Sequence, residues 1–295
     1  MRTMEEQIAA NKRNSFILVG IVSIVFVGLS YVFAQIYDPS LVFLFLIIAV
    51  VLSTLCTIAS YWYSDQIVLA VTKTREPKPL ENEHLSNVVE GLAIAAGIPA
   101  PRFVIIDDDV NLNAFATGRD PKHAVLAVTS ALLKTMNREE LEGVIAHEMS
   151  HINNYDIRLA SMIAVLVGII VIASQIFLRS LWFSGGNRDR RDGNVIFLVI
   201  GIVLAILAPI FTQLIQLAVS RQREYLADSS GAYLTRNPIG LASALEKIKD
   251  NNVNTKVNGA VSHLYFTNPL LFKNANSLFA THPPIDERIK RLKEM

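Results

Sequence analysis

Hydrophobic and polar residues are spread very unevenly along this chain. Four stretches, 16–34, 41–63, 159–178 and 195–219, contain no Asp, Glu, Lys or Arg. Each approaches or exceeds the roughly 20 apolar residues that carry a helix across about 30 Å of hydrocarbon. The first is longer than the apolar core of a cleaved signal, about 7–15 residues. The second follows it after a short turn containing Asp38 and Pro39. An uncleaved helical hairpin is therefore expected.

Between the second and third apolar stretches the pattern changes. "EPKP" at 76–79 is a stiff linker, since each proline fixes its own φ and biases its predecessor toward extended backbone. A helix is expected over 83–96, closed by Gly97 and Pro99. "RFVIID" reads as a strand, and "NAFATG" and "AVLAVT", separated by the turn signal "RDPKH", read as a β-hairpin. Asn137, with Glu140 three positions on, makes a capping box. It starts a helix expected to continue into the third apolar stretch. The fourth stretch likewise runs on through "QLAVSRQREYLADSSGAYL" with no helix breaker before Gly231.

Composition adds little to this. Hydrophobic residues make up 52% of the 295, and the formal net charge is +1. No basic patch is interleaved with aromatics, so no nucleic-acid partner is expected. The single cysteine, Cys56, lies inside the second apolar stretch and can form neither an internal disulfide nor a cysteine-based metal site. The placement of positive charge says more. Arg2, Lys12 and Arg13 precede the first stretch, Lys73, Arg75 and Lys78 follow the second, and the turn between them has neither Lys nor Arg. By the positive-inside rule the tail and the segment from about residue 65 face the cytoplasm.

The candidate chemistry sits in "EGVIAHEMSHINNYD". His147 and His151 are i and i+4, on one face of a helix, where two imidazoles can hold a single Zn²⁺. Glu148 directly follows the first histidine and can take a proton from water activated there. A third ligand is needed. Glu224 and Asp228 in "REYLAD" are again i and i+4. Taken alone they read as a solvated charged face beside Arg221 and Arg223. Beside the histidine motif the better reading is Glu224 as ligand, with Asp228 accepting the second N–H of a ligating histidine.

In order, the two N-terminal spans, "NAFATG", "HEMSH", an apolar hairpin, "REYLAD" and "THPPIDERI" resemble the HtpX-type membrane metalloproteases, bacterial relatives of the CAAX prenyl endoprotease. The resemblance covers essentially the whole chain. It implies a zinc endopeptidase of the inner membrane, active in membrane-protein quality control and stress response. One Zn²⁺ per chain would sit on His147, His151 and Glu224, with Glu148 as general base. It also implies that His282 stabilises the oxyanion, that Arg288 lies near the site, and that Asn113, Ala114 and Phe115 belong to an edge strand that an extended substrate can join. The expected partners are polypeptides, membrane-embedded or misfolded, together with the lipid bilayer.

The fold class expected is a mostly α membrane protein with four apolar spans and a small α/β zincin-like catalytic portion, its HExxH helix continuous with the third span. Residues 1–64 would form the tail and first hairpin, 65–158 the cytoplasmic α/β portion, 159–220 the second hairpin, and 221–295 a cytoplasmic helical portion. Because Glu224 has to reach the zinc, the intervening chain must return to the compartment it left, so the site and both termini should be cytoplasmic. The connection 179–194, with Arg179, Arg188, Arg190 and Arg191, runs against the positive-inside rule if the second hairpin crosses fully. Two other readings compete. Cleavage inside the bilayer is opposed by the charged residues flanking the motif, at least ~2.5 kcal/mol each at mid-bilayer. A non-catalytic scaffold with a structural metal would lack Glu148 or add a fourth protein ligand.

Overall fold

The computed structural model describes residues 4–37, 39–166, 221–251, 264, 266 and 283–295. The fourth apolar stretch, most of the third, the arginine-bearing connection between them and His282 lie outside the described residues.

Helix α1 (Met4–Tyr37) carries the whole first apolar stretch. A short 3₁₀ turn (Pro39–Leu41) leads into α2 (Val42–Trp62), and α1 and α2 pack side by side as a hairpin. Pro39–Trp62 is the one helix among the described residues that is long and apolar enough to cross a membrane. Phe43, Ile47, Leu55 and Ile58 on it are exposed, as a lipid-facing surface would be.

The chain after α2 is mostly helical around a small sheet. Helix α3 (Ser64–Thr72) ends at Lys73, in left-handed conformation, and strand β1 (Thr74–Arg75) follows. Helix α4 (Pro79–Ala96) starts four residues before its expected position. Pro79 supplies a helix-ready φ at the first position, and the Glu81 carboxylate accepts the Lys78 N–H at 2.7 Å. Its end at Gly97 (φ 68°) is the one the sequence predicts. Strands β2 (Arg102–Ile106), β3 (Ala114–Thr117) and β4 (Val125–Thr129) complete a sheet of order β1-β2-β4-β3. The expected hairpin is β3 antiparallel to β4, with Ala114 opposite Val128, and β3 lies at the sheet edge.

After the short α5 (Ser130–Thr135), Asn137 caps α6 (Arg138–Asn153). Its amide oxygen accepts Glu140 N–H, and the Glu140 carboxylate accepts Asn137 N–H, both at 2.9 Å. The histidine motif therefore sits on a well-started helix. Contrary to expectation, that helix is not continuous with the third apolar stretch. It stops at Asn153, Tyr155 turns to φ +60°, and a separate helix, α7, is described over 156–166. A tyrosine pays about 1–2 kcal/mol for left-handed backbone. Contacts oppose that cost: the Tyr155 ring lies under Lys12 Nζ (4.4 Å) and the Arg158 guanidinium (5.1 Å).

Helix α8 (Arg221–Thr235) corrects a second expectation, since Gly231 does not break it. The helix ends only before Arg236, at φ 52°. Helices α9 (Pro238–Asn251) and α10 (Ile285–Lys293) complete the described chain. The core between α4, the sheet, α6 and α9 contains Leu85, Leu126, Ile145, Met149, Leu241 and Leu245, all fully buried. Gly143 on α6 lets α9 come close: a Cβ there would sit 2.8 Å from the Leu241 backbone. The effect is to fix α6 between α8, α9 and the sheet, which is what a precise ligand set on α6 requires.

Candidate active site

Helical spacing puts His147 and His151 on one face of α6, and their Nε2 atoms converge to 3.1 Å. Glu224 arrives from α8, with Oε2 3.8 Å from His147 Nε2 and Oε1 3.6 Å from His151 Nε2. Ligands on a tetrahedral zinc at about 2.0–2.1 Å stand roughly 3.3–3.4 Å apart. The observed separations bracket that value, so these three side chains fit one zinc ion. Two imidazoles and one carboxylate also leave a fourth coordination position open, as catalytic sites do.

Each histidine has its own carboxylate behind it. His147 Nδ1 lies 2.9 Å from Asp228 Oδ1, and His151 Nδ1 lies 2.9 Å from Asp156 Oδ2. Both carboxylates accept, so both Nδ1 atoms carry protons and both Nε2 atoms are turned to the shared centre. Burial drives the His147 pKa down to about 4, over the opposing pull of Asp228. Burial pushes His151 the same way, but Asp156 and Glu224 outweigh it and raise the group to about 9.

Asp228 is held by the fully buried Arg288, whose Nε and Nη2 donate to Oδ2 at 2.8 Å and Oδ1 at 2.7 Å. Burial alone would raise the Asp228 carboxyl; Arg288 and His147 lower it to about 2, so it stays charged. The Arg288 guanidinium also lies 4.7 Å from the Phe266 ring, which meets the His147 ring edge-on at 4.7 Å.

The Glu148 carboxylate reaches the sheet edge. Its Oε2 accepts the backbone N–H of Ala116 on β3 at 3.0 Å. Burial raises its pKa to about 8. Because β3 is an edge strand, alternate residues face outward. The outward Ala114 carbonyl accepts Phe266 N–H at 3.0 Å, and the outward Ala116 N–H meets Glu148. Asn113 is buried, its Oδ1 accepting Ala114 N–H at 2.9 Å and its own N–H donated to Thr129 Oγ1 at 3.0 Å. Ala114 and Phe115 are themselves fully buried. At this sheet edge β3 therefore presents backbone groups rather than these side chains.

The fold brings His147, Glu148, His151, Glu224, Asp228 and Arg288 together. Sequence reasoning missed Asp156, Phe266 and the approach of α1 to the site. Asp156 is five residues past His151 and beyond the helix end, so helical spacing could not select it. Only the left-handed turn at Tyr155 folds it back.

A pair of histidines and a glutamate on two packed helices, with a second glutamate between them and an edge strand, defines a metallopeptidase-type site. Residues 79–295 match the model of "Peptidase family M48". The chain belongs to that family and is a metalloprotease. It is 44% identical over 300 residues to "Protease HtpX homolog" of Caldanaerobacter subterraneus subsp. tengcongensis, covering all of this chain and 98% of that protein. It is 46% identical over 294 residues to the protein of the same name in Dictyoglomus turgidum, covering 99% and 95% respectively. The crystal structure of S. mikatae Ste24p aligns with 97% of this chain and 66% of that one, at a TM-score of 0.46 and 18% identity. Family membership and the Pro39–Trp62 span give the protein a membrane location.

Proposed function

We propose that the protein is a zinc-dependent endopeptidase of the bacterial cytoplasmic membrane that hydrolyses membrane or misfolded polypeptides. The observation that carries the reading is the convergence of His147, His151 and Glu224, with Glu148 one residue from the first ligand. When bound, zinc supplies Lewis-acid polarisation of water and of the scissile carbonyl. The chain's own groups do the rest. Asp228 and Asp156 hold the two imidazoles with Nε2 inward. Glu148 takes the proton from the attacking water and returns it to the leaving amine. The outward backbone of β3 receives the substrate as an added strand, which requires Ala116 N–H and Ala114 C=O to exchange their present partners. His282 is assigned to the oxyanion from the resemblance alone.

The site's height relative to the hairpin supports cleavage at the membrane surface over cleavage within the bilayer. The loop after α6 meets Asn11 and Lys12, just before the first apolar stretch. Arg119 and Arg158 meet the rings of Trp62 and Tyr61 at the end of α2, at 4.6 and 5.4 Å. Both hairpin ends thus share a side with the site. The basic residues flanking the hairpin support a cytoplasmic orientation for that side, and the full multi-pass arrangement is part of the same proposal.

The test is turnover of casein by the detergent-purified protein before and after a chelator strips its metal. Loss on chelation with recovery on adding zinc is expected. Undiminished turnover by the metal-free protein would overturn the reading.

A further inference from the structure

Helix α1 reaches the carboxylate behind His151. Asn11 on α1 is almost wholly buried, and its Nδ2 donates twice, to the Asn154 carbonyl at 2.9 Å and to Asp156 Oδ1 at 2.6 Å. The other oxygen of that carboxylate, Oδ2, accepts from His151 Nδ1 at 2.9 Å. A continuous hydrogen-bonded chain therefore runs from α1 through Asp156 to His151. Next along α1, Lys12 Nζ lies 4.4 Å from the centre of the Tyr155 ring, so residues 154, 155 and 156 are each touched by α1. Arg223 on α8 offers Asp156 a weaker second partner, Nη1 to Oδ1 at 3.6 Å.

We propose that Asp156 and Asn11 are positioning residues, Asp156 orienting His151 and Asn11 of α1 holding Asp156, so that metal affinity depends on the seating of α1. The inference rests on the zinc reading above. The physical case is local. A carboxylate accepting from Nδ1 fixes the tautomer and ring plane of a ligating histidine and raises its basicity. This carboxylate stands on a turn with a left-handed tyrosine, a conformation that survives only when its surroundings over-determine it. Three of the contacts that hold the turn come from α1. Asn11 has both amide hydrogens engaged there, one on the turn's backbone and one on the carboxylate, so it fixes the position and the rotation of Asp156 together.

Zinc affinity of the full-length protein in detergent, measured by competition with a fluorescent chelator, separates this role from a purely structural one. Asp156→Asn is expected to weaken zinc binding about 10–100-fold. Asn11→Ala is expected to weaken it about 3–10-fold, with helix content by circular dichroism unchanged. Ser15→Ala removes a buried hydroxyl on the same helix that, among the described residues, bonds the Asn11 carbonyl, and should bind zinc as wild type does. The double variant Asn11→Ala/Asp156→Asn should be no weaker than Asp156→Asn alone, because Asn11 acts through Asp156. The visible spectrum of the cobalt-substituted protein should shift in Asn11→Ala and not in Ser15→Ala. If Asn11→Ala does not fold, Asn11→Ser takes its place in the same comparison. Unchanged affinity in the Asn11 variant, or fully additive losses in the double, would overturn the proposal while zinc binding and casein cleavage by the wild type stood. A wild type that binds no zinc would overturn the site reading and this inference together.

Discussion

Gly231 of α8 lies directly against His147 of α6: a Cβ built on the glycine would be 3.0 Å from the His147 backbone nitrogen. The helix accepts the roughly 1 kcal/mol that an interior glycine costs because the close approach carries Glu224, two turns earlier on α8, to the histidine pair. Gly231→Ala should push the helices apart. A loss of about 1–3 kcal/mol in stability is expected from overpacking, together with weaker zinc binding. Thermal unfolding of the metal-free variant reads the first effect and chelator competition the second. Wild-type values in both would mean that this contact does not set the helix spacing.

Glu224 is the carboxylate within reach of both His147 and His151 Nε2 atoms. Glu224→Ala should leave a two-histidine site and lose most of its zinc, as metal analysis after gel filtration would show. Full occupancy in this variant would move the third ligand elsewhere.

Glu140 should make stability depend on pH. Burial raises this carboxyl, but Lys247 (2.7 Å), the Asn137 N–H and Ser243 outweigh it and leave its pKa below the ordinary value. A carboxyl lowered by folding contributes stability that is complete above its unfolded pKa and is lost as pH falls through the folded one. Glu140→Gln should therefore cost about 1–3 kcal/mol at pH 7. The gap from wild type should close as the pH drops below about 4. Denaturant titrations at several pH values would check this, and a gap constant with pH would contradict it.

Local rules made much of the scaffold legible. The β3–β4 hairpin follows from two apolar runs flanking "RDPKH", the start of α6 from Asn137 and Glu140, and the end of α4 from Gly97. These signals act over four or five residues and depend little on the rest of the molecule. The end of α6 was not legible, because no proline or glycine marks it. The turn at Tyr155 is imposed by contacts with α1, more than a hundred residues away in sequence. Gly231 misled for a related reason: its value lies in what packs against it, and a breaker rule sees only its backbone freedom. At the site, i,i+4 spacing made His147 with His151 and Glu224 with Asp228 visible as pairs. Asp156 and Asn11 belong to no pair on one helix and emerge only from tertiary packing.

The most direct test of the central claim compares wild type with Glu148→Gln in detergent, measuring zinc per chain and casein turnover on the same samples. Glu148 accepts the Ala116 N–H and stands outside the ligand set, so the amide should leave the metal site intact. The account predicts about one zinc per chain in both proteins, with turnover lost by at least about 10²-fold in the variant. Comparable turnover in the two proteins would contradict it, because the proton would then be carried by some other group.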